Sequence, residues 1–240
     1  MLARSEKVSD RLAKEILRDI ISNDYPDGAK LPAEAHMLEQ YPVGRASLRE
    51  ALRILEVNGV LRVRPGPGGG PVVAMPGPRD FGTFASLHFA MHGCTMEELF
   101  DARIVIEPLM TRRAAEHTSA EARERLFASL DDHQACIGLD SGPWSAAATG
   151  FHQLLGELAN NGILDLFSES LVSIQNERVR PIFPIGERKP VLDIHRKIAE
   201  AVIAGDGAKA ERLMRGHLQA NKERTFNLWP AIAKERIEWI

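Results

Sequence analysis

Three histidines in the second half of the chain have the spacing of a metal-ligand set. His195 lies 11 residues before Asp206, and His217 lies 11 residues after it. If Gly205-Asp206 turns a pair of antiparallel helices, both imidazoles stand at the same height, about 16 Å from the turn at the usual helical rise. They then face each other across one layer. His152 follows Phe151 on a separate helical segment and can complete a cluster of three imidazoles. Three imidazoles with open coordination positions suit Zn²⁺ or a similar divalent metal. The alternative is three unrelated histidines, each satisfied in the core or at the surface. His88, His92, His117 and His133 lack such partners and are expected to be surface or packing residues.

Arg103 brings a second possible chemistry. Leu99, Ile106, Met110 and Ala114 form an apolar stripe at helical spacing, and Arg103 falls on it. A guanidinium on a buried stripe needs an anion. Glu107, one turn on, can supply it from within the chain. A ligand carboxylate held by both arms of the fork can supply it from outside. Trp144, Asn176 and Arg178 could also line a cavity there.

The third group lies near the start of the chain. Arg45, Arg49 and Arg53 sit at i, i+4 and i+8, so they share one side of a helix. Leu48, Leu52 and Leu55 are displaced toward the core. Arginine forks in this array fit guanine edges in the DNA major groove, and phosphates. Gly44 leaves the helix N-terminus bare, so its free N–H groups can approach a phosphate. The alternative is a solvated face, with Arg49 paired to Glu50 or Arg53 to Glu56.

These residues need elements to hold them. Ser9 can cap a first helix carrying Leu12, Ala13, Ile16, Leu17 and Ile20 at helical spacing. Turn residues fill 23–28, and a short helix over about 34–40 stops before Pro42. The arginine helix runs from Arg45 to a stop at Asn58-Gly59. Strands are expected over 60–64 and 72–74, joined by the Gly/Pro run 65–71. No Gly-Lys-Ser/Thr follows that run, which excludes a phosphate-cradling loop. Short helix, turn, basic helix and glycine-tipped hairpin together describe a winged helix-turn-helix. Residues 75–79, with two prolines, read as a stiff linker. Helices follow near 80–91, 96–118, 120–138, 144–159, 162–180, 188–204 and 207–227. The expected fold is thus mainly α. A winged helix-turn-helix with a small β-hairpin wing occupies 1–75, a linker 76–80, and an all-α bundle of about seven helices 81–240.

Bulk properties narrow the classes. Residues 1–75 carry 11 Lys/Arg against 10 Asp/Glu, so DNA affinity must rest on where the arginines point and on dimerisation. Cys94 and Cys136 have no CxxC spacing, which argues against a disulfide framework or a cysteine zinc site. A reducing cytoplasm is the expected location. No apolar run approaches the roughly 18–20 residues of a membrane span. The first residues turn charged too early for a signal peptide.

Leu31-Pro32-Ala33-Glu34, Arg45-x-x-Leu48-Arg49-Glu50-Ala51-Leu52, the Gly59 stop and the glycine wing resemble the GntR family of bacterial transcription regulators. The remainder resembles the helical effector (FCD) domain of its FadR subfamily. It shows Glu98-Leu99, Arg103, Glu107, Ala114-Ala115, Phe151-His152, and His195 and His217 around Gly205-Asp206. The resemblance covers nearly the whole chain. It implies DNA contacts from Arg45, Ser47, Arg49, Arg53 and the wing glycines Gly66 and Gly68. It also implies a small organic-acid, acyl or sugar-acid effector near Arg103, Asn161, His152, His195 and His217, with metal on the three histidines. Asn161 has a simpler alternative as a turn or cap. The chain departs from the pattern in three places. Ala35 stands where many relatives are basic, and Gly44 where they have Ser or Thr. Ala148 stands four residues before His152, where metal-binding relatives carry an aspartate ligand. A site here would be three histidines at best, with weakened metal affinity.

The expected function is a ligand-responsive regulator that binds a pseudo-palindromic operator in double-stranded DNA as a homodimer, away from any membrane. Two alternatives compete with it. One is a His-ligated metal hydrolase, disfavoured because no nucleophile motif or adjacent general base is present. The other is a regulator whose helical domain only dimerises.

Overall fold

The structure, a computed structural model, describes residues 7–66, 69–179 and 185–240. The chain divides into two compact units, Met1–Asp80 and Phe81–Ile240. Among the described residues, ten α-helices, one short 3₁₀ helix (Ile232–Lys234) and one two-stranded antiparallel sheet make up the regular structure.

The first unit contains α1 (Val8–Ser22), α2 (Glu34–Gln40) and α3 (Arg45–Val57), followed by β1 (Leu61–Arg64) and β2 (Gly70–Val73). Leu12, Ile16 and Ile20 of α1 meet Met37 of α2, Leu48, Ala51 and Leu55 of α3, and Leu61 and Val73 of the sheet. That packing fixes α3 and leaves its arginine side outward. Gly59, at φ +75°, ends α3 in the left-handed region that favours glycine.

Two local expectations are corrected. Ser9 does not cap α1; the helix begins two residues earlier than that cap implies, at Val8 with Lys7 as N-cap, and Ser9 is buried inside the first turn. β2 also begins at Gly70 rather than at 72, and it includes Pro71. The proline is tolerated because its carbonyl accepts from Leu31 N, which turns its backbone edge away from β1. Its missing N–H therefore breaks no β1–β2 bond in the Val63↔Pro71 pair.

From Pro78 onward come α4 (Pro78–His92), α5 (Met96–Glu116), α6 (Ala120–Ala135), α7 (Ser141–Leu158), α8 (Gly162–Arg178), α9 (Ile185–Ile203) and α10 (Gly207–Leu228). Pro78 opens α4, where its missing N–H costs no helical bond, so 78–80 of the expected linker are helical. Helix α5 starts with a capping box. Thr95 accepts from Glu98 N at 3.3 Å, and the Glu98 carboxylate accepts from Thr95 N at 2.7 Å.

Helix α5 packs against α7, α8, α9 and α10 and carries a proline in its interior. Pro108 cannot donate to the Ile104 carbonyl. Arg215 of α10 donates to that carbonyl instead, at 3.1 Å. The largest core joins Leu126 and Leu130 of α6, Phe151 and Leu155 of α7, Leu192 and Ile198 of α9, and Met214 and Leu218 of α10. Gly205, at φ +73°, turns α9 into α10, and Asp206 caps α10 by accepting from Lys209 N at 3.0 Å. That hairpin sets the height of the two histidines it carries.

Candidate functional site

The three histidines meet. His195 Nε2 lies 3.1 Å from His217 Nε2, which lies 3.3 Å from His152 Nε2. His195 comes from α9, His217 from α10 and His152 from α7. All three ligand atoms fall within 4.8 Å of one another. Two nitrogens each about 2.05 Å from a tetrahedral Zn²⁺ stand about 3.3 Å apart. The spacing and the donor chemistry therefore fit a divalent cation on three imidazoles. Ala148 lines the same cavity one turn before His152 and offers no ligand atom.

Two of the imidazoles are held in the form a metal needs. Burial, then His152, pushes His217 down to about 3. His195 is fully buried and also lies well below its ordinary pKa, through burial first and then His217, His152 and His133. Uncharged rings leave a lone pair for coordination.

His152 owes its orientation to a carboxylate. Its Nδ1 lies 2.7 Å from Glu107 Oε2. An N–H donated there leaves the lone pair on Nε2, toward the other two rings. Glu107 also accepts from Arg103 Nε at 2.6 Å, and Arg103 donates through Nη1 to Gln175. Arg103 and Glu107 are only 7% and 4% exposed, so this is a buried ion pair with added hydrogen bonds. Burial alone would raise the Glu107 carboxyl, but Arg103 and then His152 outweigh it and hold it at about 2.

Beside the triad lies a small cavity of about 60 Å³ that opens to solvent. Arg103, Gln175 and Asn176 face it from α5 and α8, and Asn221 and Thr225 from α10. Ser145 and Thr149 add hydroxyls from α7. The wall is thus rich in amides and hydroxyls, with one guanidinium already engaged. Three expected members are elsewhere, among them Trp144, which is fully buried against His133. Asn161 caps α8, accepting from Leu164 N at 3.2 Å, and is not among the residues lining this cavity. Arg178 reaches Glu235 and Glu238 at the C-terminal end.

Sequence spacing missed a layer behind the histidines. His133 is fully buried, with its ring 4.0 Å from Trp144 and 5.1 Å from His195, centroid to centroid. Neither of its nitrogens has a hydrogen-bond partner among the described residues, nor has His195 Nδ1. Glu107 was in view only as a partner for Arg103. No local pattern links it to His152, which is 45 residues away.

In the first unit, Arg45, Arg49 and Arg53 are all exposed on α3, and Ser47 is half-buried. The acidic partners differ from those expected. Arg49 Nε pairs with Glu34 of α2 at 3.1 Å, and Arg53 Nε with Glu50 at 3.4 Å. Glu56 is occupied otherwise, accepting from Val63 N of β1 at 3.2 Å. A Cβ on Gly44 would meet nothing within 4 Å, so the fold itself does not demand glycine there. Gly66 adopts φ +96° beside the wing tip, and Gly68 lies outside the described residues. Arg62 and Arg64 of β1 are exposed as well. Their signal was a pair of basic residues flanking the glycine run.

Comparison with known proteins places both units. Residues 8–69 match the family described as bacterial regulatory proteins, gntR family, and residues 98–220 match the FCD domain. The uncharacterized HTH-type transcriptional regulator YcbG of Bacillus subtilis is 29% identical over 212 residues, 87% of each chain. The HTH-type transcriptional repressor NanR of Cronobacter sakazakii is 25% identical over 246 residues, 98% of this chain and 90% of that one. Among solved structures, Streptococcus agalactiae GntR has a similar fold, with a TM-score of 0.72 at 22% identity over 90% of this chain and 99% of that one. These families and relatives are transcription regulators, not enzymes.

Proposed function

Because the chain belongs to the GntR family of bacterial regulatory proteins and carries an FCD domain, we propose that it is a transcription regulator whose operator binding responds to a small acid in the helical unit. The observation that carries this reading is the cavity into which three imidazole Nε2 atoms converge. His152, His195 and His217 would hold a divalent metal, which would offer a ligand carboxylate a Lewis-acidic anchor. Arg103 lines the cavity next to that anchor, and Gln175, Asn176, Ser145 and Thr149 supply hydrogen bonds for hydroxyl or carbonyl groups. No helix among the described residues is long and apolar enough to cross a membrane.

In this reading a homodimer presents one α3 to each half of a pseudo-palindromic operator. Arg45, Arg49 and Arg53 meet bases and phosphates, and the wing approaches the minor groove. The effector acts only through unequal affinity for arrangements that bind DNA well and badly. Two measurements test the proposal. A mobility shift on the chain's own upstream DNA should be altered by one member of a panel of small carboxylic acids. That acid should also raise the melting temperature. If no acid does either, the helical unit serves assembly alone. Separately, His195→Ala should remove tightly held zinc, as read by elemental analysis of zinc-loaded protein. Undiminished zinc would refute the three-imidazole site.

A further inference from the structure

The three exposed arginines of α3 are not equivalent. Arg45 has no side-chain partner among the described residues, and Arg53 leans on Glu50 of its own helix. Arg49 alone of the three is tied to another element. Its Nε lies 3.1 Å from Glu34 Oε1 and 3.2 Å from Oε2, so one N–H is shared by both carboxylate oxygens. Glu34 is the first residue of α2, and its place relative to α3 is set by the core through Met37 and Leu48. The arginine side chain remains 69% exposed, whereas the glutamate is 36% exposed. The terminal nitrogens Nη1 and Nη2 have no recorded partner among the described residues. Both side chains line a recess beside β2.

We propose that Glu34 is the positioning residue for Arg49, holding its Nε so that Nη1 and Nη2 project as a fixed fork for a guanine edge. This rests on α3 being the DNA-reading helix. A free arginine samples many rotamers and loses that freedom on binding. A carboxylate that holds it beforehand removes part of that loss. The same negative charge is repelled by phosphates, so it disfavours a slide of Arg49 onto the backbone. Glu34 thereby favours base reading over non-specific contact. Arg45 and Arg53, with no such tether to another element, are left to phosphates.

The test uses the full chain and a duplex that the wild type selects from random-sequence DNA, with a shuffled duplex as control. Glu34→Ala should weaken binding to the selected duplex by about tenfold, the loss of one well-oriented base contact. Affinity for the shuffled duplex should stay within about twofold or rise. In an Arg49→Ala background, Glu34→Ala should cost nothing further, because the glutamate acts through the arginine. Glu34→Gln, which keeps one acceptor, should recover part of the loss at an unchanged melting temperature. Equal losses on both duplexes, full additivity with Arg49→Ala, or no effect of Glu34→Ala would overturn the proposal. If Arg49→Ala itself left binding to the selected duplex unchanged, or no duplex were selected, the assignment of α3 would fall and Glu34 with it.

Discussion

Metal-stripped protein should lose stability continuously as the pH falls from about 6.5 toward 4. His133 drives part of this. Burial, and secondarily His152, pushes it from 6.5 down to about 4, and neither ring nitrogen has a partner among the described residues. A depressed folded-state pKa means that the unfolded chain takes the proton first. The stabilisation is therefore complete above 6.5 and lost as the pH drops through the interval. For His133 alone the loss is about 3 kcal/mol by the time its folded-state value is reached. His195 and His217 are shifted in the same direction and add to the slope. Glu107 extends it at lower pH, between 4.5 and about 2. Urea midpoints at pH 7.5 and 5.5 would record the trend, and His133→Phe should make it shallower. A level profile would mean that these rings accept protons freely in the folded state. Bound metal should move the onset to lower pH, since protons and cation compete for the same Nε2 atoms.

Glu107→Ala should be the most damaging single substitution in the helical unit. It leaves a guanidinium that is 7% exposed without its counter-ion, and it removes the acceptor from His152 Nδ1. Breaking a buried pair in this way costs about 3–5 kcal/mol, or roughly 10 °C in melting temperature for a chain of this size. Glu107→Gln, which retains an acceptor, should cost less. Both variants should weaken zinc binding by about 10–100-fold, because the ring of His152 is no longer oriented. A melting temperature within 2–3 °C of wild type for Glu107→Ala would show that the network contributes little.

The outline of the fold was readable because helical periodicity and turn chemistry are local. The Gly205-Asp206 hairpin follows from a glycine that tolerates positive φ and an aspartate that caps. Equal spacing on its two arms then brings His195 to His217. The pair Arg103–Glu107 was readable for the same reason, being one helical turn apart. What stayed hidden depends on contacts between helices distant in sequence. Gln175 reaches Arg103 across 72 residues, and Arg49 finds Glu34 across the helix-turn-helix rather than its neighbour Glu50. His133 looked inert because nothing near it in sequence suggests that α6 and α9 pack together beside Trp144. Asn161 carried both an effector role implied by resemblance and the simpler capping role, and at the start of α8 it caps.

The α9–α10 hairpin also behaves as a ruler. One residue added or removed within either arm would swing the imidazole beyond it by about 100° around its axis and slide it by about 1.5 Å. Both histidines would survive in such a chain, and the meeting of their Nε2 atoms would not. Counting the residues from each histidine to the turn, 11 to Asp206 on either arm, is therefore a stricter test of a shared pocket than counting histidines. An insertion confined to the connecting turn would leave that alignment intact.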